Sequence, residues 1–168
     1  MNWIANSDTI IIEPKFNEQL DIKLISAHTK LIFSDYAPNK RIFEYYANNN
    51  FDGLEYRGSN FNQNISKLLH GITHITFGND FNQDVSNLPP TLTHLTFGWE
   101  FNQDVSVLPY SITHLTFGNY FNQDVSNLPP ALTHLTFGWK FNQQYNIPPN
   151  IKYLKLDCNN SYIINSLP

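Results

Sequence analysis

Histidine, aspartate and serine recur along this 168-residue chain at a constant spacing, and their side chains often do chemistry in proteins. The histidines are His74, His94, His114 and His134. Imidazoles in such a column could bind a metal ion, or act as a pH switch because stacked imidazoles resist being protonated together. They could equally line a binding face, or be a column that repeat duplication imposes without any function.

The other recurrent groups lack the partners that catalysis requires. Asp84, Asp104 and Asp124 occupy turn positions without a second acid at a defined spacing, and the serines that follow them have no base tied to them. The single cysteine, Cys158, belongs to no redox or metal-binding motif, and no carboxylate joins the histidines at metal-ligand spacing. We therefore predict that the protein is not an enzyme and holds no metal and no cofactor.

An internal repeat sets the spacing of these groups. Phe-Asn-Gln recurs every 20 residues from Phe61 onward, and residues 81–100 and 121–140 differ only at Thr91/Ala131 and Glu100/Lys140. Repeats two apart match better than adjacent ones, which indicates duplication of a pair of coils.

Each repeat contains the pattern of a short strand with one buried face. Polar and apolar residues alternate from His94 to Phe97, so Leu95 and Phe97 should point inward, and His94 and Thr96 outward. One coil cannot bury enough apolar surface to fold alone, so the coils must stack. We predict an all-β solenoid of about eight 20-residue coils, with one parallel sheet along one face.

The outward strand positions form the predicted binding face, which we expect to be concave. It consists of a histidine column and a threonine column: His74, Thr76, His94, Thr96, His114, Thr116, His134 and Thr136. Two further columns are expected to be structural. The phenylalanines should form a core spine: Phe61, Phe81, Phe101, Phe121 and Phe141. The asparagines should use buried amides to satisfy backbone groups of neighbouring turns: Asn62, Asn82, Asn102, Asn122 and Asn142.

The two positions after each strand-ending glycine vary, which marks places that the coil does not dictate. They read Asn79-Asp80, Trp99-Glu100, Asn119-Tyr120 and Trp139-Lys140. Tryptophan and tyrosine are favoured interface anchors. The predicted protein-binding residues therefore include Trp99, Glu100, Tyr120, Trp139 and Lys140. The alternative is that the tryptophans fold over and cap the core.

Composition excludes several classes of function. The chain has 10 Lys and Arg against 14 Asp and Glu, so it lacks the basic excess of a nucleic-acid-binding protein. No apolar run approaches the roughly 18 residues that suggest a membrane span, and the N-terminus has no signal-peptide core. We predict a monomeric, cytoplasmic protein whose partners are proteins rather than nucleic acids or membranes.

We predict one domain covering residues 1–168. Residues 1–60 should form degenerate coils and a cap, with strands near Thr9, Leu31 and Gly53, and residues 61–156 the regular repeats. Arg41–Ala47 is predicted to form one or two helical turns with Ile42, Phe43 and Tyr46 packing inward. Residues 157–168 should form a half coil, because they fit the start of a repeat with Asn160 in the phenylalanine position and Ile164 in the inward valine position.

Two signatures of the repeat resemble the FNIP-repeat family. They are the recurrent Phe-Asn-Gln and the Leu-Pro pairs at 88–89, 108–109 and 128–129. The string Thr-His-Leu-Thr-Phe-Gly at 93–98, 113–118 and 133–138 also resembles the family. The family is related to leucine-rich repeats and is found mainly in social amoebae and in giant DNA viruses that infect amoebae. Many of its repeats have Pro-Ile after Phe-Asn-Gln, where this chain has Asp-Val. The resemblance implies a leucine-rich-repeat-like solenoid with a protein-binding sheet face.

Several members of the family carry an N-terminal F-box and look like substrate adaptors of ubiquitin ligases. This chain is expected to have no room for one, because its degenerate coils begin near Thr9. We predict a non-catalytic scaffold for protein–protein interaction, located in the host cytoplasm if the protein is viral. The alternatives are a self-associating structural solenoid, or the substrate-recognition part of an F-box-type ligase system acting without its own F-box.

Overall fold

The computed structural model describes residues 3–18, 28–36, 46, 58–65 and 71–165. The elements in these ranges are eight strands followed by one short helix. They are β1 (Trp3–Ala5), β2 (Thr9–Ile12), β3 (Lys30–Phe33), β4 (His74–Thr76), β5 (His94–Thr96), β6 (His114–Thr116), β7 (His134–Phe137), β8 (Tyr153–Leu156) and α1 (Ser161–Ile164).

All eight strands belong to one sheet, in which they follow one another in chain order. β1 pairs with β2 in the antiparallel direction, and each later pair from β2 to β8 is parallel. The register places each residue opposite its counterpart in the next repeat, so His94 pairs with His114 and Thr96 with Thr116. The predicted all-β solenoid with a single parallel sheet is therefore confirmed.

The set of strands in the sheet differs from the prediction between β3 and β4. β3 pairs directly with β4, with Lys30 opposite His74, so the sheet has no position between them for another strand. The strand predicted at Gly53–Tyr56 lies outside the described residues. The sheet has eight strands because β1 adds to its first edge, but the parallel series consists of the seven strands β2 to β8.

The hydrophobic core lies on one side of the sheet. Leu95, Phe97, Phe101 and Val105 are fully buried, whereas His94 and the other polar strand residues are half-buried on the opposite side. The phenylalanine rings form two interleaved stacks, one containing Phe97 and the other Phe101. The ring centroids of Phe97 and Phe101 are 3.6 Å apart within a coil, and those of Phe101 and Phe121, in adjacent coils, are 6.1 Å apart. The predicted inward and outward assignments hold along the repeats.

The asparagine column ties each coil to the next. The Oδ1 atom of Asn82 accepts hydrogen bonds from the backbone N–H of Asn102 and from the side-chain amide of Gln103, both at 2.9 Å. The ladder starts before the regular repeats, because Oδ1 of Asn17 accepts from the N–H of Asn62 at 3.0 Å. These amides are half-buried rather than buried, and Asn142 is exposed, because the turn that carries them lies at the surface.

An insertion, which consists of residues 34–60, interrupts the coil that contains β3. Phe33 stacks on Phe61 at 3.9 Å, just as Phe77 stacks on Phe81 at 3.8 Å, so the coil closes normally on either side of it. Of the predicted helical turns at 41–47, only Tyr46 is among the described residues, and it is helical. Its predicted inward packing is wrong, because Tyr46 packs on Ile11 and Ile32 on the outer side of the sheet.

The C-terminal part departs from the predicted half coil. Asn160 is buried and caps α1, with its Oδ1 accepting from the N–H groups of Tyr162 and Ile163 at 3.1 and 3.3 Å. Because the chain turns as a helix there, Ile163 is the buried residue and Ile164 is exposed, the reverse of the predicted register. No helix in the described part of the chain is long and apolar enough to cross a membrane.

Candidate functional site

Four histidine rings stack on the outer face of the sheet, which we define as the outward positions of β4 to β7. Adjacent ring centroids are 4.0 Å apart and the rings are nearly parallel from His74 to His134. The stack follows from the register, because each histidine stands opposite the next across strands about 4.8 Å apart. Tyr153 of β8 continues the column at 5.8 Å from His134.

The threonine before each histidine determines the imidazole tautomer. Thr93 Oγ1 donates to the carbonyl of Thr73 at 3.1 Å and also lies 2.9 Å from Nδ1 of His94. A hydroxyl has only one proton to donate, so Nδ1 of His94 must donate to Oγ1. The same contacts occur around His74, His114 and His134. Each Nε2 atom is thus left as a hydrogen-bond acceptor, and no residue in the described ranges bonds to it.

Three imidazoles of the stack, those of His74, His94 and His114, are kept neutral. Partial burial, reinforced by the neighbouring histidines and Lys30, lowers the pKa of His94 from 6.5 to about 4. Burial also lowers the pKa of His74, where Lys30 and His114 add to the effect, and that of His114, where His134 does. At neutral pH these three histidines therefore present uncharged acceptors beside the threonine hydroxyls.

A cleft of about 420 Å³ lies along the threonine column. Its floor is formed by the strands that carry Thr76, Thr96 and Thr116, and Trp99 lines one side. At the β3 end it is bounded by Tyr36 and Tyr46. The hydroxyl of Tyr46 donates to Oγ of Ser34 at 3.0 Å, and burial raises the pKa of this phenol, so it stays protonated.

A half-buried carboxylate also lines the cleft. Oδ1 of Asp35 accepts hydrogen bonds from the backbone N–H groups of Ser59 at 2.7 Å and Asn79 at 2.9 Å. Burial raises the pKa of Asp35, the nearby Asp80 raises it further, and the two N–H bonds oppose this shift. Asp35 therefore connects the insertion, the coil of β3 and the coil of β4.

Three exposed aromatic side chains form an edge beside this face. Trp99 is 51% exposed, Tyr120 39% and Trp139 68%, so the tryptophans do not cap the core. Trp99 and Trp139 are two coils apart, which corresponds to about 10 Å along the solenoid. Lys140 Nζ lies 4.1 Å from the centroid of the Tyr120 ring, close enough for a cation–π contact. We call Trp99, Tyr120 and Trp139 the aromatic edge.

The repeats that build this surface match a known family. The model described as FNIP Repeat matches residues 61–98, 84–120 and 101–138. Residues 61–138 are FNIP repeats. The FNIP repeats supply most of the outer face together with Trp99 and Tyr120, whereas Asp35, Tyr36 and Tyr46 come from the preceding part of the chain.

One similar solved structure is CroV588, described as a novel circular LRR protein. It is 28% identical to this chain with a TM-score of 0.49, and the match covers 93% of this chain and 31% of that protein. The chain thus spans less than a third of the length of that protein. No curated protein matches the sequence.

The recurrent acids of the FNIP repeats are engaged in their own turns. Asp84 accepts from the backbone N–H of Ser86 at 3.0 Å and from its hydroxyl at 2.6 Å, and these bonds lower the pKa of Asp84. Asp104 and Asp124 make the same turn with the following serines. Within the described ranges, no three His, Cys, Asp or Glu side chains are grouped so as to hold a metal ion.

The cleft residues that the sequence prediction missed include one carboxylate and two tyrosines. Asp35, Tyr36 and Tyr46 precede the regular repeats, so no periodicity marks them. One signal was present in the sequence: Phe33-Ser34-Asp35 aligns with Phe77-Gly78-Asn79, which places a carboxylate where the repeat has an amide or a tryptophan.

Proposed function

We propose that this FNIP-repeat solenoid is a non-catalytic scaffold that binds a protein partner through its outer face and aromatic edge. The observation that carries the proposal is the exposure of two tryptophans: Trp99 is 51% exposed and Trp139 is 68% exposed. The phenylalanine spine of the same coils is buried. Large aromatic side chains that remain exposed beside a cleft are the residues that most often anchor protein interfaces.

The outer face complements this edge with polar groups. The Nε2 acceptors of the histidine column and the hydroxyls of Thr76, Thr96 and Thr116 can satisfy donors of a partner that covers the sheet. A monomer in the cytoplasm is part of the proposal, since Cys158 is buried and unpaired and so fits a reducing compartment.

Comparative affinity purification tests the proposal. The full chain, the double variant Trp99→Ala/Trp139→Ala and the control Tyr110→Ala are used as baits in lysate of the native host, and bound proteins are quantified by mass spectrometry. Tyr110 is a suitable control because it is 80% exposed in the turn with Val107 and Pro109 and does not line the cleft.

We expect one or more proteins to be retained by the wild type and by Tyr110→Ala, and to be lost with the double variant. Purified partner and chain should then bind directly with the same ranking. All three baits should melt within about 1–2 °C of one another, since exposed side chains contribute little to folding. The proposal fails if the double variant folds normally and retains the same proteins as the wild type.

A further inference from the structure

Asp35 occupies a position that the regular repeats fill without a charge. It follows Phe33 and Ser34 as Asn79 follows Phe77 and Gly78. Asn79 Oδ1 accepts from the backbone N–H of Trp99 at 3.3 Å, and Asp35 Oδ1 accepts from that of Asn79 at 2.9 Å. An amide oxygen therefore performs the same structural role one coil later, so the role does not require the negative charge of Asp35.

Among the residues that the structure describes, no lysine or arginine is paired with that charge. Oδ1 of Asp35 is used by two backbone N–H groups, and Oδ2 accepts no hydrogen bond from the residues that the structure describes. Residues 71–139 contain no Lys or Arg, while they include Asp80 and Glu100. The lysine that lies on β3, Lys30, pairs instead with Asp8 at 3.0 Å. A partly buried carboxylate of this kind gains stability from an added cation.

The walls of the cleft fit a cation as well. Tyr36 and Tyr46 line one end and Trp99 one side, so three electron-rich rings border the same space as the Asp35 carboxylate. Indole and phenol faces attract ammonium and guanidinium groups, most strongly where water is partly excluded. Thr76, Thr96 and Thr116 add hydroxyl oxygens along the floor that can accept N–H groups.

We infer that this cleft binds a basic side chain, lysine or arginine, of the partner protein, with its cationic group placed between Asp35 and the rings of Trp99, Tyr36 and Tyr46. The inference rests on the proposed interaction function and names the chemistry of the contact. Its occupant is a single cationic residue in an exposed segment, because a cleft of about 420 Å³ accommodates one long side chain rather than a folded surface.

Selection of peptides on the intact chain provides the test. A phage library of random 12-residue peptides is selected against the immobilised full chain, and enriched peptides are synthesised and measured by isothermal titration calorimetry. Binding is compared for the wild type, Asp35→Asn and Asp84→Asn. Both variants remove one negative charge and keep an oxygen that accepts the backbone N–H bonds, but Asp84 lies in an exposed turn away from the cleft.

We expect the enriched peptides to share a Lys or Arg. The substitution Asp35→Asn should lower the affinity of these peptides at least about tenfold, whereas Asp84→Asn should leave it unchanged. Replacing the shared basic residue of the peptide by norleucine should lower its affinity for the wild-type chain by a similar factor. The same replacement should lower the affinity for the Asp35→Asn variant much less. Peptides with lysine exchanged for arginine then establish which cation is preferred. Because the peptide replacements leave the protein untouched, this part of the test does not depend on the folding of a variant.

The contrary outcomes separate the inference from the proposed function. If the enriched peptides bind through the aromatic edge, as judged by loss on Trp99→Ala/Trp139→Ala, but lack basic residues or respond equally to Asp35→Asn and Asp84→Asn, the cationic inference is wrong and the interaction function stands. If no peptide is enriched and affinity purification also finds no edge-dependent partner, both are wrong.

Discussion

The ring of Phe33 stacks on the ring of Phe61 at 3.9 Å and 17°, although residues 34–60 separate them in the chain. In the regular coils only Gly78, Asn79 and Asp80 separate the equivalent pair, Phe77 and Phe81. The insertion therefore leaves the coil at one point and returns to the same point. This closure lets Tyr46 and Asp35 join the cleft without disturbing the phenylalanine spine.

Replacing Phe61 by alanine should expose how strongly this closure depends on the stack. Phe61 is fully buried and also lies in the ladder with Phe81 at 6.2 Å, so we expect a loss of about 3–5 kcal/mol in unfolding free energy. Urea denaturation followed by circular dichroism measures it. Tyr110→Ala, at an exposed site, should change the stability by less than about 0.5 kcal/mol. A cost for Phe61→Ala as small as that of the control would contradict the spine.

The glycine column gives a second prediction with an internal control. A Cβ atom on Gly118 would collide with the backbone carbonyl of Gly98 in the preceding coil, whereas a Cβ on Gly71 meets no atom within 4 Å. Because the stacked backbones cannot separate without breaking the sheet, Gly118→Ala should cost about 1–3 kcal/mol or more.

Gly71→Ala should instead be neutral or stabilise by up to about 1 kcal/mol, since Gly71 is not in the left-handed region. Thermal melts of both variants measure the difference. If the two substitutions shift the melting temperature equally, the coils do not approach one another as closely as the structure has them.

The asparagine ladder predicts unequal roles for two adjacent amides. Oδ1 of Asn102 accepts the backbone N–H of Asn122 at 2.8 Å, so Asn102→Ala would leave that N–H without its partner. We expect a cost of about 1–3 kcal/mol. Gln103 donates to Asn82 at 2.9 Å from its side chain only, so Gln103→Ala should cost less than about 1 kcal/mol. Hydrogen exchange of the Asn122 amide, faster in Asn102→Ala alone, is the direct measurement, and equal exchange in both variants would rule out the ladder.

The sequence was sufficient to predict the structure of the regular coils because the same pattern of strand, buried and exposed residues occurs in each of them. The alternation of His94, Leu95, Thr96 and Phe97 determines both the strand and its buried face, and the parallel register follows from equal coil length. The exposure of Trp99 and Trp139 could not be deduced, since the repeat places no constraint on those positions and an aromatic ring there can turn either way.

The ends of the solenoid were less predictable because they are not repeated. A strand was expected near Gly53, but the spacing between β3 and β4 is set by an insertion whose length no repeat fixes. At the other end, Asn160 replaces the phenylalanine that would start a coil, and its side chain caps α1 instead. A residue that competes locally for backbone N–H groups thus changed the conformation and the buried face.

The histidine column makes stability depend on pH in a defined window. The pKa of His94 is about 4 in the folded chain and 6.5 as a free side chain, and those of His74 and His114 are also lowered. The unfolded chain therefore binds more protons between these values, so stability should fall as the pH drops from 6.5 to 4 and be fully present above 6.5. Melting temperatures across this range should show the loss, and His94→Gln should reduce it.

Histidine titration by NMR tests the cause of this dependence. The imidazole of His94 should titrate near pH 4, and in the double variant His74→Gln/His114→Gln its pKa should rise only part of the way toward 6.5, because burial remains and only the two flanking imidazoles at 4.0 Å are removed. His134→Gln is the matched control, since His134 is two coils from His94 and should raise the pKa of His94 by a smaller amount. A His94 that titrates near 6.5 in the wild type would mean that its imidazole is neither buried nor flanked by the other rings in solution as it is in the structure.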